Sequence, residues 1–294
     1  MRMRQKSEPD KKLRALFFCS NEAQTNDNYQ RIPKAFEVAG WEVVNKTHSS
    51  LTISELAVKA GEYSVEDFDL IWPIGFGERA SFLDRLQILS ACTPSKLITS
   101  LDSWLMCHGK AKWLKFCPLS IVASEPDILI EFMEQHGGKW VLKPNAGSYA
   151  RDIFFIHEPE QGAQQIKQTC SAGREFFILQ RFLPEIREGE LRCICVDGQI
   201  IGKYLKVPND DFKANIFEGA SIEKATISEK QEKLIKTISH DLTEHKIGFA
   251  AIDMVGTTLM EVNIANPGGL ESLQKLYHRD FSEDLVSKIS DRYA

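Results

Sequence analysis

Short apolar runs alternating with helical patterns constrain this chain more than any other feature. Leu13–Cys19 is a run of buried-strand type, placed directly after a charged segment. Asn28 to Gly40 then reads as a helix, with a glycine where a left-handed cap is favoured. Trp41–Val44 and Phe68–Trp72 read as second and third strands, Leu83–Ala91 as a helix, and Lys96–Thr99 as a further short strand. Strands that alternate with helices predict an α/β chain opening on a doubly wound parallel sheet. The 294 residues, 43% of them hydrophobic, suffice for two lobes or one large domain.

The pattern changes further along. Ile128–His136 is helical and stops at Gly137-Gly138, and Trp140–Lys143 is a strand ending in Lys-Pro. Ile153–Ile156 and Phe176–Arg181 read as further strands. From Glu190, period-two strands run through Val196 and from Gln199 to Val207, joined by Asp197-Gly198, a hairpin dipeptide. A helix over Ser228–Glu244, strands around Gly248–Met254 and Leu259–Ile264, and a terminal helix from Phe281 complete the reading.

A net charge of −5 gives no electrostatic case for a nucleic-acid or membrane partner. Seven scattered cysteines, none in a Cys-x-x-Cys pair, read as reduced thiols of a cytoplasmic protein, with Cys193 and Cys195 packing in the core. Met1–Lys12 is basic and polar and lacks the apolar run of a secretory signal. No stretch approaches the roughly 20 apolar residues of a membrane span, so the chain is expected to be soluble.

The chemistry concentrates near the C-terminus. Glu261 and Asn263 stand two apart on an expected strand, so both side chains leave one face. A three-residue turn over Gly256–Thr258 places Asp253 opposite Glu261, and cross-strand Cβ atoms lie roughly 5 Å apart. Two carboxylates and an amide so close suit Mg²⁺ shared with phosphate oxygens. A solvated acidic hairpin is the other reading, but Ile252, Met254, Met260, Val262 and Ile264 interleave as in a half-buried strand. Alone, Lys143 reads as a solvated strand end and Lys110, in a Lys-x-Lys segment, as a surface residue. Arg192 projects from an otherwise apolar strand and demands a partner.

Three segments in order resemble the ATP-grasp superfamily, and bacterial glutathione synthetases most closely. The first is Trp140-Val141-Leu142-Lys143-Pro144 with Ala146-Gly147. The second runs from Gln180 through Pro184 and Gly189-Glu190 to Arg192. The third is Asp253 with Glu261-Val262-Asn263 and Asn266-Pro267-Gly268-Gly269-Leu270. The resemblance implies an N-terminal domain over 1–105, a small ATP-grasp lobe over 106–183 with a phosphate lid, and a large lobe over 184–294 with the metal site. It implies ATP and Mg²⁺ as cofactors, small-molecule acid and amine substrates, and a homo-oligomer. Lys110 and Lys143 would contact ATP phosphates, with Gly147 and Ser148 in the lid. Gln180, Arg181, Phe182 and Leu183 would line the adenine pocket, and Glu188 or Glu190 would meet the ribose. Asp253, Glu261 and Asn263 would hold Mg²⁺. Arg192 would stabilise an acyl phosphate, with Lys206 and Asn215 near the phosphates and the acyl acceptor.

The chain departs from the family in two places. Its lid segment, Asn145 to Asp152, has one glycine and carries Tyr149, Ser148 and Arg151 where the family is glycine-rich. On the acceptor side it has Lys213-Ala214-Asn215 for Arg-Gly-Asn. Its Asn266–Leu270 segment resembles the Ser-Pro-Gly-Leu of ribosomal-protein glutamate ligases. The expected activity is therefore an ATP-dependent carboxylate–amine ligase. A non-catalytic nucleotide-binding homologue and a ligase acting on a peptide or protein terminus remain open beside it.

Overall fold

The computed structural model describes residues 12–20, 26–146, 153–170, 174–209 and 219–293. The chain forms two compact units, one of 1–101 with 280–294 and one of 102–279.

In the first unit, β1 (Arg14–Cys19) lies between β2 (Glu42–Thr47) and β6 (Leu70–Pro73), parallel to both. Its middle residues Ala15–Phe18 are completely buried, as a strand covered on both faces requires. On one side Phe17, Trp41 and Trp72 gather around Phe36 of helix α1 (Asn28–Val38). On the other, Leu16, Phe18 and Ile71 join Leu51, Val58 and Leu89. The parallel strand expected at 96–99 reduces to a single bridge from Leu97 to Ile71. A small antiparallel sheet of β3 (Leu51–Ser54), β4 (Ala57–Ala60) and β5 (Tyr63–Ser64) was not anticipated. None of these strands exceeds four residues, which is too short for alternation to mark a strand in sequence. Helix α2 (Phe82–Leu89) follows β6.

The second unit begins within α3 (Leu101–Met106) and contains two sheets. The smaller, of order β7-β10-β8-β9, is antiparallel: β7 (Ser120–Ala123), β10 (Phe177–Arg181), β8 (Trp140–Pro144) and β9 (Phe154–Ile156). Helices α4 (Pro126–His136) and α5 (Pro159–Thr169) supply Leu129, Met133 and Ile166 to its core. The larger sheet, of order β13-β12-β11-β14-β15, is antiparallel throughout. It comprises β11 (Glu190–Val196), β12 (Gln199–Val207), β13 (Ser221–Lys224), β14 (Phe249–Val255) and β15 (Thr258–Asn263).

At the β11–β12 hairpin, Asp197 and Gly198 have φ of +47° and +74°, as a two-residue turn of the primed type demands. Helix α6 (Glu229–Glu244), closed at its start by a Ser228–Gln231 capping box, packs Ile235, Ile238 and Leu242 under this sheet. Helix α7 (Leu270–Tyr277) follows β15.

The last helix, α8 (Ser282–Ser290), belongs to the first unit, although the sequence reading carried the final segment through to residue 294. Specific contacts fix it there. Asp280 pairs with Arg31 at 3.0 Å, and Tyr293 stacks edge-on against Trp41 and donates to the Asp69 carbonyl at 3.0 Å. Among the described residues no helix is long and apolar enough to cross a membrane.

Candidate active site on the polar face of the large sheet

Side chains alternate across a strand, so register decides what the two faces carry. Residue pairs Glu190↔Lys206, Arg192↔Tyr204, Arg192↔Asp253 and Asp253↔Glu261 put six polar side chains from four strands on one face. The opposite face holds Leu191, Cys193, Cys195, Ile252, Met254, Leu259 and Val262, covered by α6.

The turn between β14 and β15 is shorter than expected. Val255 pairs directly with Thr258, leaving a two-residue turn, and a bulge follows between Met254 and Asp253. The bulge absorbs Met260. Leu259 and Val262 thereby both reach the apolar core, and Glu261 stays opposite Asp253.

The polar face is a connected charge network. The Arg192 guanidinium grips Asp253 with two hydrogen bonds, one of 2.7 Å from Nε to Oδ1, and its Nη1 donates to the Gly268 carbonyl at 3.1 Å. Lys206 pairs with Glu190 and lies 3.5 Å from Asp253. Lys110 reaches Glu261 at 3.1 Å. From the small sheet, Lys143 donates to Gln180 Oε1 at 2.9 Å, and Gln180 Nε2 donates to Ser120 Oγ at 3.1 Å. The amide of Gln180 thus orients Lys143 from behind.

Burial and neighbours set the protonation states. Burial pushes the Asp253 carboxyl up, but Arg192 and Lys206 outweigh it and hold the group well below the usual carboxylate range. Burial likewise opposes ionisation of Glu261, and Lys110 overcomes it. Glu190 goes the other way: burial dominates, the Asp253 charge adds to it, and its carboxyl is raised to about 7. Lys143 is lowered to about 8 by burial and by the neighbouring Lys110 charge. Lys206 is raised despite burial, because Asp253 and Glu190 face it. Four cations, Lys110, Lys143, Arg192 and Lys206, therefore face two firmly ionised carboxylates and a third that titrates near neutrality. Among the described residues the surplus is positive, which prepares the site for a polyanion.

Placement refines the expectations residue by residue. Lys110 and Lys143, each unremarkable in local sequence, are both withdrawn from solvent. A residue not singled out from sequence, Asn145, explains their alignment. Its backbone carbonyl and Oδ1 accept the backbone N–H groups of Lys110 and Ala111, at 3.1 and 3.0 Å. This ties the 3-10 turn Lys110–Phe116 to the end of β8. Glu190 lies within the network, whereas Glu188 is exposed in the turn Pro184–Glu188. Arg181 directs its side chain elsewhere: it donates to the His136 and Gly137 carbonyls and stacks over Trp140 at 4.2 Å. It thereby caps the end of α4. Phe182 and Leu183 join Ile186, Val255 and Met260 in an apolar patch, with Phe155 of β9 against Phe182 at 4.5 Å. Phe155 carries no motif that marks it in sequence, and Met260 reads there only as an apolar residue of a half-buried strand. Asn263 accepts from the Ala265 N–H at 3.2 Å. Gly147, Ser148 and Asn215, with Tyr149, Arg151 and Lys213, lie outside the described residues.

Comparison with known proteins identifies the fold and the family. The crystal structure of the D-cycloserine synthetase DcsG superposes with a TM-score of 0.72 at 15% identity, covering 96% of this chain and 100% of that one. An ATP-grasp RimK domain protein from Sphaerobacter thermophilus DSM 20745 superposes with a TM-score of 0.66 at 14% identity, covering 93% and 98%. The fold is that of the ATP-grasp proteins. In sequence, the prokaryotic glutathione synthetase ATP-grasp domain matches residues 109–278. The chain belongs to that family. Glutathione synthetase of Prochlorococcus marinus subsp. pastoris is 26% identical over 193 residues, which are 65% of this chain and 62% of the relative. The shared region thus spans about three fifths of that relative's length.

Proposed function

We propose that this protein is an ATP- and Mg²⁺-dependent ligase that joins a carboxylic acid to an amine through an acyl phosphate. The observation that carries the reading is the polar face of the large sheet, where four cations meet two ionised carboxylates and the titrating Glu190. A structural salt-bridge cluster would balance its charges. Among the described residues, this one has cations to spare for phosphate oxygens.

Lys110 and Lys143 hold the nucleotide phosphates, and Phe155, Phe182, Leu183 and Met260 offer the apolar surface that an adenine ring stacks on. Glu190 accepts from the ribose or stays paired with Lys206. Asp253 and Glu261 side by side, with Asn263 two residues on, form an oxygen-only donor set kept ionised at neutral pH. That fits a hard divalent cation. The described residues contain no group of three or more His, Cys, Asp or Glu able to enclose a metal, so the ion would share its coordination with phosphate oxygens. When bound, Mg²⁺ neutralises phosphate charge.

In the first step a carboxylate oxygen of the acid attacks the γ-phosphorus and the bond to ADP breaks. In the second the amine nitrogen attacks the acyl carbon, inorganic phosphate leaves, and the nitrogen gives up a proton. Arg192, anchored by Asp253 and Gly268, presents a fixed positive charge to the oxyanion that develops. Positioning and charge do the catalytic work, and no covalent nucleophile of the protein is required. The family relationship makes a γ-glutamyl peptide and glycine the first substrate pair to try.

The test is ADP release with ATP and Mg²⁺ against a panel of acids, γ-glutamylcysteine included, each with and without a set of amino acids. We expect a signal that requires both an acid and an amine. ATP bound but not consumed with any pair would overturn the ligase reading.

A further inference from the structure

Tyr204 stands on the polar face, directly opposite Arg192 and two residues from Lys206. The side chain is completely buried, and its hydroxyl has no hydrogen-bond partner among the described residues. A phenol withdrawn from water normally places its O–H on an acceptor, so an unmatched one is a cost that phenylalanine would avoid. The position is also crowded on one side. Gly269 has a φ of +142°, and a Cβ there would lie 3.2 Å from the Tyr204 oxygen and 2.8 Å from Ile194 Cδ1. The loop backbone therefore lies against the phenol only because the residue is glycine. The preceding residue, Gly268, offers its carbonyl to Arg192 at 3.1 Å. Arg192, Tyr204 and the Gly268-Gly269 backbone thus form one small corner of the site. Arg192 supplies a fixed charge there, and Tyr204 supplies a donor that meets no acceptor among the described residues.

We propose that the Tyr204 hydroxyl is a hydrogen-bond donor reserved for an anionic oxygen of the acyl phosphate, bound beside Arg192 as the Gly268-Gly269 backbone yields. The inference rests on the ligase reading for the identity of that oxygen. The geometry asks only for a phosphate-bearing oxyanion beside a guanidinium. A phenol O–H shortens and strengthens its bond as charge develops on the acceptor, so its contribution falls on the chemical step more than on ATP binding.

Tyr204→Phe removes one oxygen and keeps the packing, so it separates the two roles the hydroxyl can have. A packing role predicts a variant that is as stable as wild type or more so, with unchanged turnover. The proposal predicts equal or higher thermal stability, a KM for ATP within about twofold of wild type, and a kcat lower by about 10- to 100-fold. A second measurement needs no turnover: binding of inorganic phosphate to the protein already saturated with ADP and Mg²⁺. Phosphate should bind several-fold more weakly to Tyr204→Phe, while ADP binds equally to both proteins. Absence of ADP release from the wild type in the substrate panel counts against the ligase reading alone, and the phosphate comparison still decides the hydroxyl. Equal phosphate affinity in the two proteins, or a loss of activity that merely follows a loss of stability, overturns the proposal.

Discussion

The two faces of the five-stranded sheet are built from the same strands and obey opposite rules. On the face beneath α6, Leu191, Cys193, Ile252, Met254 and Val262 are buried against Ile235, Ile238 and Leu242, and each contributes by leaving water. On the other face, Glu190, Arg192, Lys206 and Asp253 are almost as deeply buried, yet their burial works against them. A paired and buried ion cluster stabilises a fold weakly, because desolvation offsets most of the attraction. A sheet selected for stability alone would have used apolar residues on both faces. The difference teaches that one face makes the sheet and the other uses it.

That contrast breaks if polar-face changes behave like core changes, and the predictions are arranged to expose this. The largest effect is expected from Asp253→Asn combined with Glu261→Gln. Mg²⁺-dependent ATP binding should fall by more than about 100-fold, measured by calorimetry, with the folded structure retained. Wild-type affinity in that variant would remove the metal assignment. On the opposite face, Ile238→Ala should lower unfolding free energy by about 2–5 kcal/mol in a denaturant titration and leave ATP affinity per folded molecule unchanged. A coupled loss of ATP affinity would show that the faces are not separable.

Lys143 gives a smaller effect with a definite pH signature. Its folded value of about 8 lies below the ordinary 10.5, so its contribution to stability is full above about 10.5 and is lost as pH falls through 8. Lys143→Met should therefore raise stability at pH 7 by roughly 1–3 kcal/mol, an advantage that vanishes in alkaline solution, while ATP affinity drops. Thermal unfolding at pH 7 and pH 10.5 checks the sign. A variant less stable than wild type at pH 7 would contradict the burial argument. The smallest effect should come from Ser228→Ala, which removes the capping box of α6. We expect a loss of about 1 kcal/mol and no functional change.

Legibility in the sequence followed the same division. Strand patterns and the Asp197-Gly198 turn were readable because they depend on local period and turn chemistry. Opposition of Asp253 and Glu261 was readable too, although a two-residue turn with a bulge produces the alignment assigned to a three-residue turn. What stayed hidden depends on partners distant in the chain. Lys110 and Lys143 gain their surroundings from Glu261 and Gln180, 151 and 37 residues away by number. Arg181 sits in a motif yet caps α4, because the carbonyls of His136 and Gly137 come within its reach only after folding. The return of α8 to the first unit likewise rests on Arg31–Asp280 and Trp41–Tyr293 contacts that no local pattern announces.

The central claim is that the polar face receives a nucleotide polyphosphate together with a divalent cation. Calorimetric titration of ATP into the wild-type protein, with and without Mg²⁺, tests it most directly. The account predicts saturable binding that Mg²⁺ strengthens by at least about tenfold. Absence of binding, or affinity indifferent to Mg²⁺, would contradict it.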